Sequence, residues 1–378
     1  MKNYSKYVGL DVHKERIQVA IATAGRGEPM FYGEIDNRPE AIRRLVKKIG
    51  SGGDVLYCYE AGPCGYGTYR QLRELGYACE VVAPSLIPRK AGDRVKTDRR
   101  DAVSLAGLLR AGQLTAAWVP DAEQEAIRDL TRIRLDMKAA ERHFRQRLGA
   151  FLLRHGKLYP GKSPWTQAHF RWMEGLKFDS AVQQIVFQEY VDAVVQAGQR
   201  VKAIEEEMRR ALETWSLAPV VTALMALRGL KIVGAMTVVA ELGDVTRFSN
   251  ASQLMAYLGL VPSEHSSGAK RSRGGITKAG NGHARRILIE AAWCYRFPAR
   301  KTAVLQRRAE KTSPGVQSIA WKAQKRLCMR YQHLLLRGKR PVEACTAVAR
   351  ELAGFIWAIV CEVMSGAPGR SVLVAAAS

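Results

Sequence analysis

The sequence predicts an α/β domain followed by an α-helical one, with a long helical connection between them. Three observations predict it. The first eighty residues hold short β-branched runs in hairpin order and then alternate helix with strand. Apolar residues beyond position 120 recur at helical spacing. The chain has 378 residues, which suits two or three domains.

Lys6-Tyr-Val-Gly-Leu-Asp-Val12 and Arg16-Ile-Gln-Val-Ala-Ile-Ala22 read as two strands around the tight turn Val12-His-Lys-Glu15. Met30–Ile35 is a third strand after the Gly25-Arg-Gly27 turn. Arg38–Ile49 carries Ile42, Leu45, Val46 and Ile49 at helical spacing. Asp54–Tyr59 reads as a strand, Tyr66–Leu75 as a helix and Ala78–Ala83 as a strand. This order suggests a mixed sheet of the ribonuclease H type. Arg94–Ala111 is expected to be helical, and an amphipathic pattern then runs from Ile127 through Met137 and Phe144 to Phe151. His155–Gly175, rich in Gly, Pro and Trp, reads as a connection. Ala181–Trp215 is helical, with Val194, Val201 and Met208 every seven residues. Gly198, Glu205 and Leu212 occupy the intervening set, so an imperfect coiled coil is expected. Pro219 opens the second domain, and the tail from Gly366 to Ser378 is expected to be loose. The expected division is therefore 1–155, 156–218, 219–365 and the tail 366–378.

The formal net charge of +24 points to an anionic partner and excludes an acidic disordered protein. Gly268–Arg340 holds 19 Lys or Arg against Glu290 and Glu310, so most of the excess lies there. Gly, Ser, Thr and Asn are interleaved with those cations, which suits phosphate better than a membrane surface. The plain alternative is a solvated basic face. Seven cysteines without a Cys-x-x-Cys argue against a disulfide framework or a zinc ribbon. No leader-like apolar segment opens the chain, and Ala353–Met364 is too short to span a bilayer. A cytoplasmic protein without a membrane partner is expected.

Four acids stand where chemistry is possible. Asp11 ends the first strand, and Glu60 ends Val55-Leu-Tyr-Cys-Tyr-Glu60 before the turn Ala61-Gly-Pro-Cys-Gly65. Asp98 and Asp101 lie i and i+3 in Lys96-Thr-Asp-Arg-Arg-Asp-Ala102, on one helical face. If that helix crosses the ends of the two strands, four carboxylates converge and repel unless divalent cations neutralise them. Two Mg²⁺ ions about 3.5–4 Å apart suit phosphoryl transfer. Each acid alone is equally at home in an ion-paired surface, and Asp98 could simply cap its helix. The phosphate loop of actin-like ATPases also begins with a strand-borne Asp, but it needs glycine where Val12-His13-Lys14 stand.

In the second half, Leu227-Arg-Gly-Leu-Lys-Ile-Val-Gly234 resembles the hairpin of a helix-hairpin-helix element, or is a plain glycine turn. Ser266 and Ser267 precede Gly268 in a basic, glycine-rich stretch that runs to Arg286, before the helix Ile287–Trp293. A serine among cations could attack a phosphodiester, although serine also simply favours turns. His265 and His283 are near in sequence, with phosphate contact or solvent exposure the expected role.

Gly-Leu-Asp11-Val-His-Lys, Tyr-Glu60-Ala-Gly and Lys96-Thr-Asp98-Arg-Arg-Asp101-Ala together resemble the DEDD transposases of the insertion sequence one-hundred-and-ten family. Gly259-Leu-Val-Pro-Ser-Glu-His-Ser-Ser267-Gly, Gly275-Ile-Thr-Lys-Ala-Gly280-Asn and Arg285-Arg286 resemble its C-terminal domain. The resemblance runs from about residue 6 to residue 365. It implies a RuvC-like ribonuclease H-fold domain, a coiled-coil connection and a helical transposase domain. It implies Asp11, Glu60, Asp98 and Asp101 as Mg²⁺ ligands, and Ser267 as the residue that links covalently to DNA. Lys270, Arg271, Arg273, Lys278, Arg285 and Arg286 are the expected nucleic-acid contacts. Implied partners are donor and target DNA, a bridge noncoding RNA that guides both, and further copies of the chain as a dimer and a tetramer.

The expected activity is cutting and rejoining of DNA strands in transposition. Two alternatives remain at this point: a Holliday-junction nuclease using metal-activated water, and a non-catalytic nucleic-acid-binding protein.

Overall fold

The computed structural model describes residues 4–88, 97–264 and 272–365. The chain divides into two compact units, Met1–Pro120 and Asp121–Ser378. In the first, β1 (Lys6–Val12), β2 (Arg16–Thr23) and β3 (Met30–Asp36) form an antiparallel meander. Then follow α1 (Pro39–Ile49), β4 (Val55–Glu60), α2 (Gly67–Glu74), β5 (Ala78–Val82) and α3 (Asp98–Arg110). The sheet order is β3-β2-β1-β4-β5, with β4 parallel to both β1 and β5. This is the five-stranded mixed sheet that the strand order predicts.

The two faces of the sheet are chemically different. Val8, Leu10, Ile17, Val19, Tyr57 and Tyr59 pack with Ile42, Leu45, Val46 and Ile49 of α1 and Leu72 of α2. Pro39 starts α1 at a position where no backbone donor is lost. On the other face lies α3, whose first turn is capped by Thr97 Oγ1 accepting from Arg100 N. Here the side chains are small: Ala20 and Ala22 meet Ala102 and Ala106. Gly9 completes the contact. A Cβ at Gly9 would lie 2.4 Å from the Ala102 carbonyl oxygen and 2.5 Å from the Ala106 nitrogen. The helix backbone thus rests on β1 two residues from Asp11, on the same side of the strand. The expected helix began at Arg94; it begins at Asp98, and 94–96 lie outside the described residues.

The second unit opens with α4 (Ala122–Arg154). The expected connection 155–175 contains a helix, α5 (Gln167–Glu174), capped by Thr166. It buries Met173 with Leu148, Phe151, Leu152, Phe187 and Val194. The Gly, Pro and Trp content that suggests a connection instead builds a small aromatic core. α6 (Ala181–Thr214) packs along α4, burying Phe187, Val194, Val201 and Met208 at seven-residue intervals. The two intervening residues that break the apolar pattern have local partners. Gly198 faces the buried Glu141, and Glu205 accepts from Arg134 Nε at 2.9 Å. Because α4 packs against α6 and α8, it belongs to the second compact unit, which begins at Asp121.

The rest of the unit comprises α7 (Ala218–Leu224), α8 (Ile232–Leu242), α9 (Ala251–Tyr257), β6 (Pro262–Glu264), β7 (Arg273–Ile276), α10 (Gly282–Ala292), α11 (Ala303–Ala309), α12 (Pro314–Leu336) and α13 (Pro341–Ser365). α13 is long and apolar enough to cross a membrane by length and composition. Its apolar side has a different use: Val348, Leu352, Ile356 and Ile359 are fully buried in the main core. The Gly229 turn between α7 and α8 has φ +91°, and a Cβ there would lie 2.5 Å from the Ala291 carbonyl oxygen of α10. Packing against α10 therefore accounts for the glycine.

One charge sits deep in this core. The Glu241 side chain on α8 has no exposure. It accepts from Arg132 Nε at 2.8 Å and from Asn281 Nδ2 at 2.7 Å, with Arg128 Nε at 3.9 Å. Burial alone would raise its pKa. The Arg132 and Asn281 hydrogen bonds, with the two arginine charges, outweigh burial and hold the carboxyl below its ordinary value.

Two outcomes follow. Gly9→Val forces the α3 backbone off β1, and should cost at least about 2 kcal/mol in urea unfolding of the first unit's signal. A cost near zero would contradict the close approach. Glu241→Ala removes the buried carboxylate that Arg132 and Asn281 hydrogen-bond, and should cost about 3 kcal/mol. Because the folded carboxyl titrates low, the Glu241 contribution is complete above the ordinary carboxylate range. It disappears as pH falls through the lowered value, so the difference between wild type and variant should shrink in acid.

Candidate active site

Asp11 sits at the end of β1, opposite Gln18 of β2 and one residue past Leu10, which pairs with Tyr59 of β4. Glu60 therefore ends the adjacent parallel strand at the same edge of the sheet. The turn after it is fastened there. Tyr59 Oη donates to the Gly65 carbonyl at 3.0 Å, and Cys64 Sγ reaches the Val12 carbonyl at 3.6 Å. The first turn of α3 comes over this edge because Gly9 lets the helix lie close, and it delivers Asp98 and Asp101.

Asp11, Asp98 and His13 offer ligand atoms that all lie within 4.8 Å of one another. His13 Nε2 stands 3.0 Å from Asp11 Oδ2 and 3.6 Å from Asp98 Oδ2. The Asp11 side chain is 16% exposed and that of Asp98 59%, so Asp11 forms the floor and Asp98 the rim. The Asp11 pKa is raised, chiefly by burial. The His13 hydrogen bond and charge oppose this, while the Asp98 and Asp101 carboxylates push it further up. An inner acid that pays for two neighbouring negative charges is an environment that a cation relieves. Oxygen donors of this kind suit a hard divalent ion, and His13 adds a nitrogen donor. The residues present thus fit divalent metal binding.

The four predicted acids are therefore not equivalent. Asp11 and Asp98 meet directly, Asp101 acts on Asp11 through its charge, and Glu60 ends the neighbouring strand. Glu60 and Asp101 are not members of the close group of three. His13 is a member that the four-acid motif does not contain. The signal was present, since Asp-x-His at the end of a strand puts both side chains on one side.

In the second unit the predicted residues fall into three groups. Ser267, Lys270 and Arg271, with Ser266 and His265, lie outside the described residues. They connect β6 to β7, which pair antiparallel, and Arg273 Nε donates to Glu264 Oε2 at 3.2 Å across the pair. Lys278 and Arg286 are exposed; Arg286 lies 3.6 Å from Glu290 one turn on. Arg285 turns inward: its Nη1 donates to the carbonyls of Leu258 and Ala279 at 2.9 and 2.7 Å. It clasps the two loops at the base of the strand pair.

Both motif glycines serve the same junction. Gly259 and Gly280 have φ +61° and +66°, and a Cβ on either would run into the backbone of the other loop. Asn281 caps α10, accepting from Ala284 N at 2.9 Å, and also holds Glu241. The buried Glu241 network was not visible in the sequence, because its four members come from three distant segments.

A family model for a transposase, DEDD_Tnp_IS110, matches residues 8–156, and that of the Transposase IS116/IS110/IS902 family matches residues 221–305. The chain is 51% identical to a Sinorhizobium fredii protein named for a transposase, y4qE, across 94% of this chain and 88% of that one. It is 32% identical to the transposase for insertion sequence element IS1533 of Leptospira borgpetersenii, across 88% of this chain and 98% of the relative. A transposase for insertion sequence element IS1111A, from Coxiella burnetii, is 24% identical over 94% of this chain and 89% of its own. A sheet edge that gathers acids and near-full-length likeness to transposases agree: the chain belongs to the IS116/IS110/IS902 family of transposases, enzymes that cut and rejoin DNA.

Proposed function

We propose that the protein is an RNA-guided DNA recombinase in which Asp11, Glu60, Asp98 and Asp101 hold Mg²⁺ and Ser267 captures the broken DNA end. The observation that carries this is the meeting of Asp11 and Asp98 at one sheet edge, with Asp101 and Glu60 beside them. Bound Mg²⁺ would supply charge neutralisation at the scissile phosphate. The chain's own residues do the rest. Ser267 Oγ forms a new bond to phosphorus as the old phosphodiester bond breaks, and the departing sugar oxygen takes a proton. A second DNA hydroxyl then attacks the phosphoserine and frees the serine. Bond energy is kept in the ester, so rejoining needs no ATP.

In this scheme 1–155 is a RuvC-like ribonuclease H domain, 156–218 a linker with the coiled-coil helix, and 219–365 the transposase domain. The seven-residue spacing on α6 supports the coiled coil, and the succession of α7, a short turn and α8 is the order a helix-hairpin-helix-like element has. Arg273, Lys278 and Arg286, with Lys270 and Arg271, would hold backbone phosphates, while a bridge RNA selects the sequence. Acids of one copy and the serine of another would meet in a dimer or tetramer on DNA in the cytoplasm.

Incubation of the protein with Mg²⁺, guide RNA and a nicked substrate should trap a protein–DNA adduct. Ser267→Ala should abolish it and Ser266→Ala should not. Asp11→Asn and Asp98→Asn should each lower its yield at least about a hundredfold. An undiminished adduct in Ser267→Ala removes the serine, and full strand transfer without any adduct favours a metal-activated water nuclease. Binding to duplex DNA should fall by about a thousandfold or more between 50 and 200 mM salt if six or more phosphates are neutralised. A shallow slope in a binding titration would refute the phosphate-holding role.

A further inference from the structure

A cavity of about 670 Å³ lies beside the C-terminal half of α4 and the segment leading into α5, away from every residue assigned above. Its walls combine Tyr159, Trp165 and Trp172 with Lys138, Arg142, Arg145 and Lys157, against the single carboxylate of Glu141. That carboxylate is already neutralised, by Lys138 Nζ at 2.6 Å and by Arg145.

Three features show that the cavity is a built site. Trp165 holds φ +65°, a conformation a bulky residue adopts only when its surroundings impose it. It is kept there by its backbone N–H donating to His169 Nδ1 at 3.1 Å, and its ring carries the Arg145 guanidinium 5.3 Å from the centroid. Next, the Arg145 Nε is buried with no hydrogen-bond partner. Finally, Gly149 lies within α4 at the cavity wall, where a Cβ would meet nothing within 4 Å. Glycine within a helix is unfavourable, and here it keeps space open.

Aromatic rings beside cations match the chemistry of an unpaired nucleotide: a base to stack and a phosphate to neutralise. We propose that this cavity binds one unpaired nucleotide of a single-stranded segment. The proposal deepens the assignment of the chain as a DNA-acting enzyme and rests on it. DNA and RNA share the required chemistry, and the test separates them.

The full-length protein is titrated with labelled oligothymidylate, oligouridylate and duplex DNA. Gly149→Leu projects a branched side chain into the cavity from the α4 wall, and Gly149→Ala adds only a methyl group to open space. Gly149→Leu should weaken single-strand binding by about tenfold, the usual effect of losing one stacked base. Duplex binding should stay within about twofold, and Gly149→Ala should bind as wild type with a raised melting temperature. Bromouridine cross-links should map to Tyr159, Trp165 or Trp172. Stronger loss on the uridine strand identifies RNA as the ligand, and equal or stronger loss on the thymidine strand identifies DNA. Unchanged single-strand binding in Gly149→Leu, or cross-links only elsewhere, overturns the proposal. So does a changed oligomeric state with unchanged binding, which would make the cavity a contact between copies. The adduct assay above is unaffected by those results, so either reading can fail alone.

Discussion

The close rest of α3 on β1 at Gly9 is the contact on which the acidic site depends. Asp11 belongs to a strand and Asp98 to a helix, and neither position means anything until the two backbones touch. A side chain at residue 9 would wedge them apart, and the alanines at 20, 22, 102 and 106 keep the rest of the seam equally thin. The opposite face of the sheet shows the ordinary solution, with bulky aliphatic and tyrosine side chains filling the space to α1 and α2. One face is built for stability and the other for proximity.

Much of this was legible in the sequence, because the first unit is made of local signals. Strand alternation, glycine turns and helical spacing set out five strands and three helices within a few residues of where they lie. The acids stood out because they end elements rather than fill them. What stayed hidden depends on which elements meet. Nothing near Gly9 states that α3 will lie there, and the unequal roles of the four acids come from depth and distance. The 155–175 stretch misled for a physical reason: Gly and Pro are loop residues by propensity, yet the Tyr and Trp side chains between them pack an aromatic cluster around His169, which stacks on Trp172.

The basic residues divide in a way that charge counting cannot foresee. Arg285 spends its donors on backbone carbonyls, and Arg128 and Arg132 serve the buried Glu241. Lys278 and Arg286 remain at the surface. A large positive total therefore mixes buried architecture with solvated charge. Removing a cation of the first kind changes stability, whereas removing one of the second kind leaves the fold nearly unchanged.

The antiparallel pair α4 and α6 carries one more implication. Glu141 is accommodated opposite Gly198, and Arg134 opposite Glu205. Sliding the helices by one heptad, about 10 Å of travel, would set Glu141 against either Val191 or Glu205. The first choice buries a charge beside a bulky aliphatic group and the second sets two negative charges together. The pair is keyed, like a shaft in its slot, and behaves as a strut of set length. Whatever is attached at its far end is held at a distance that thermal slippage does not alter.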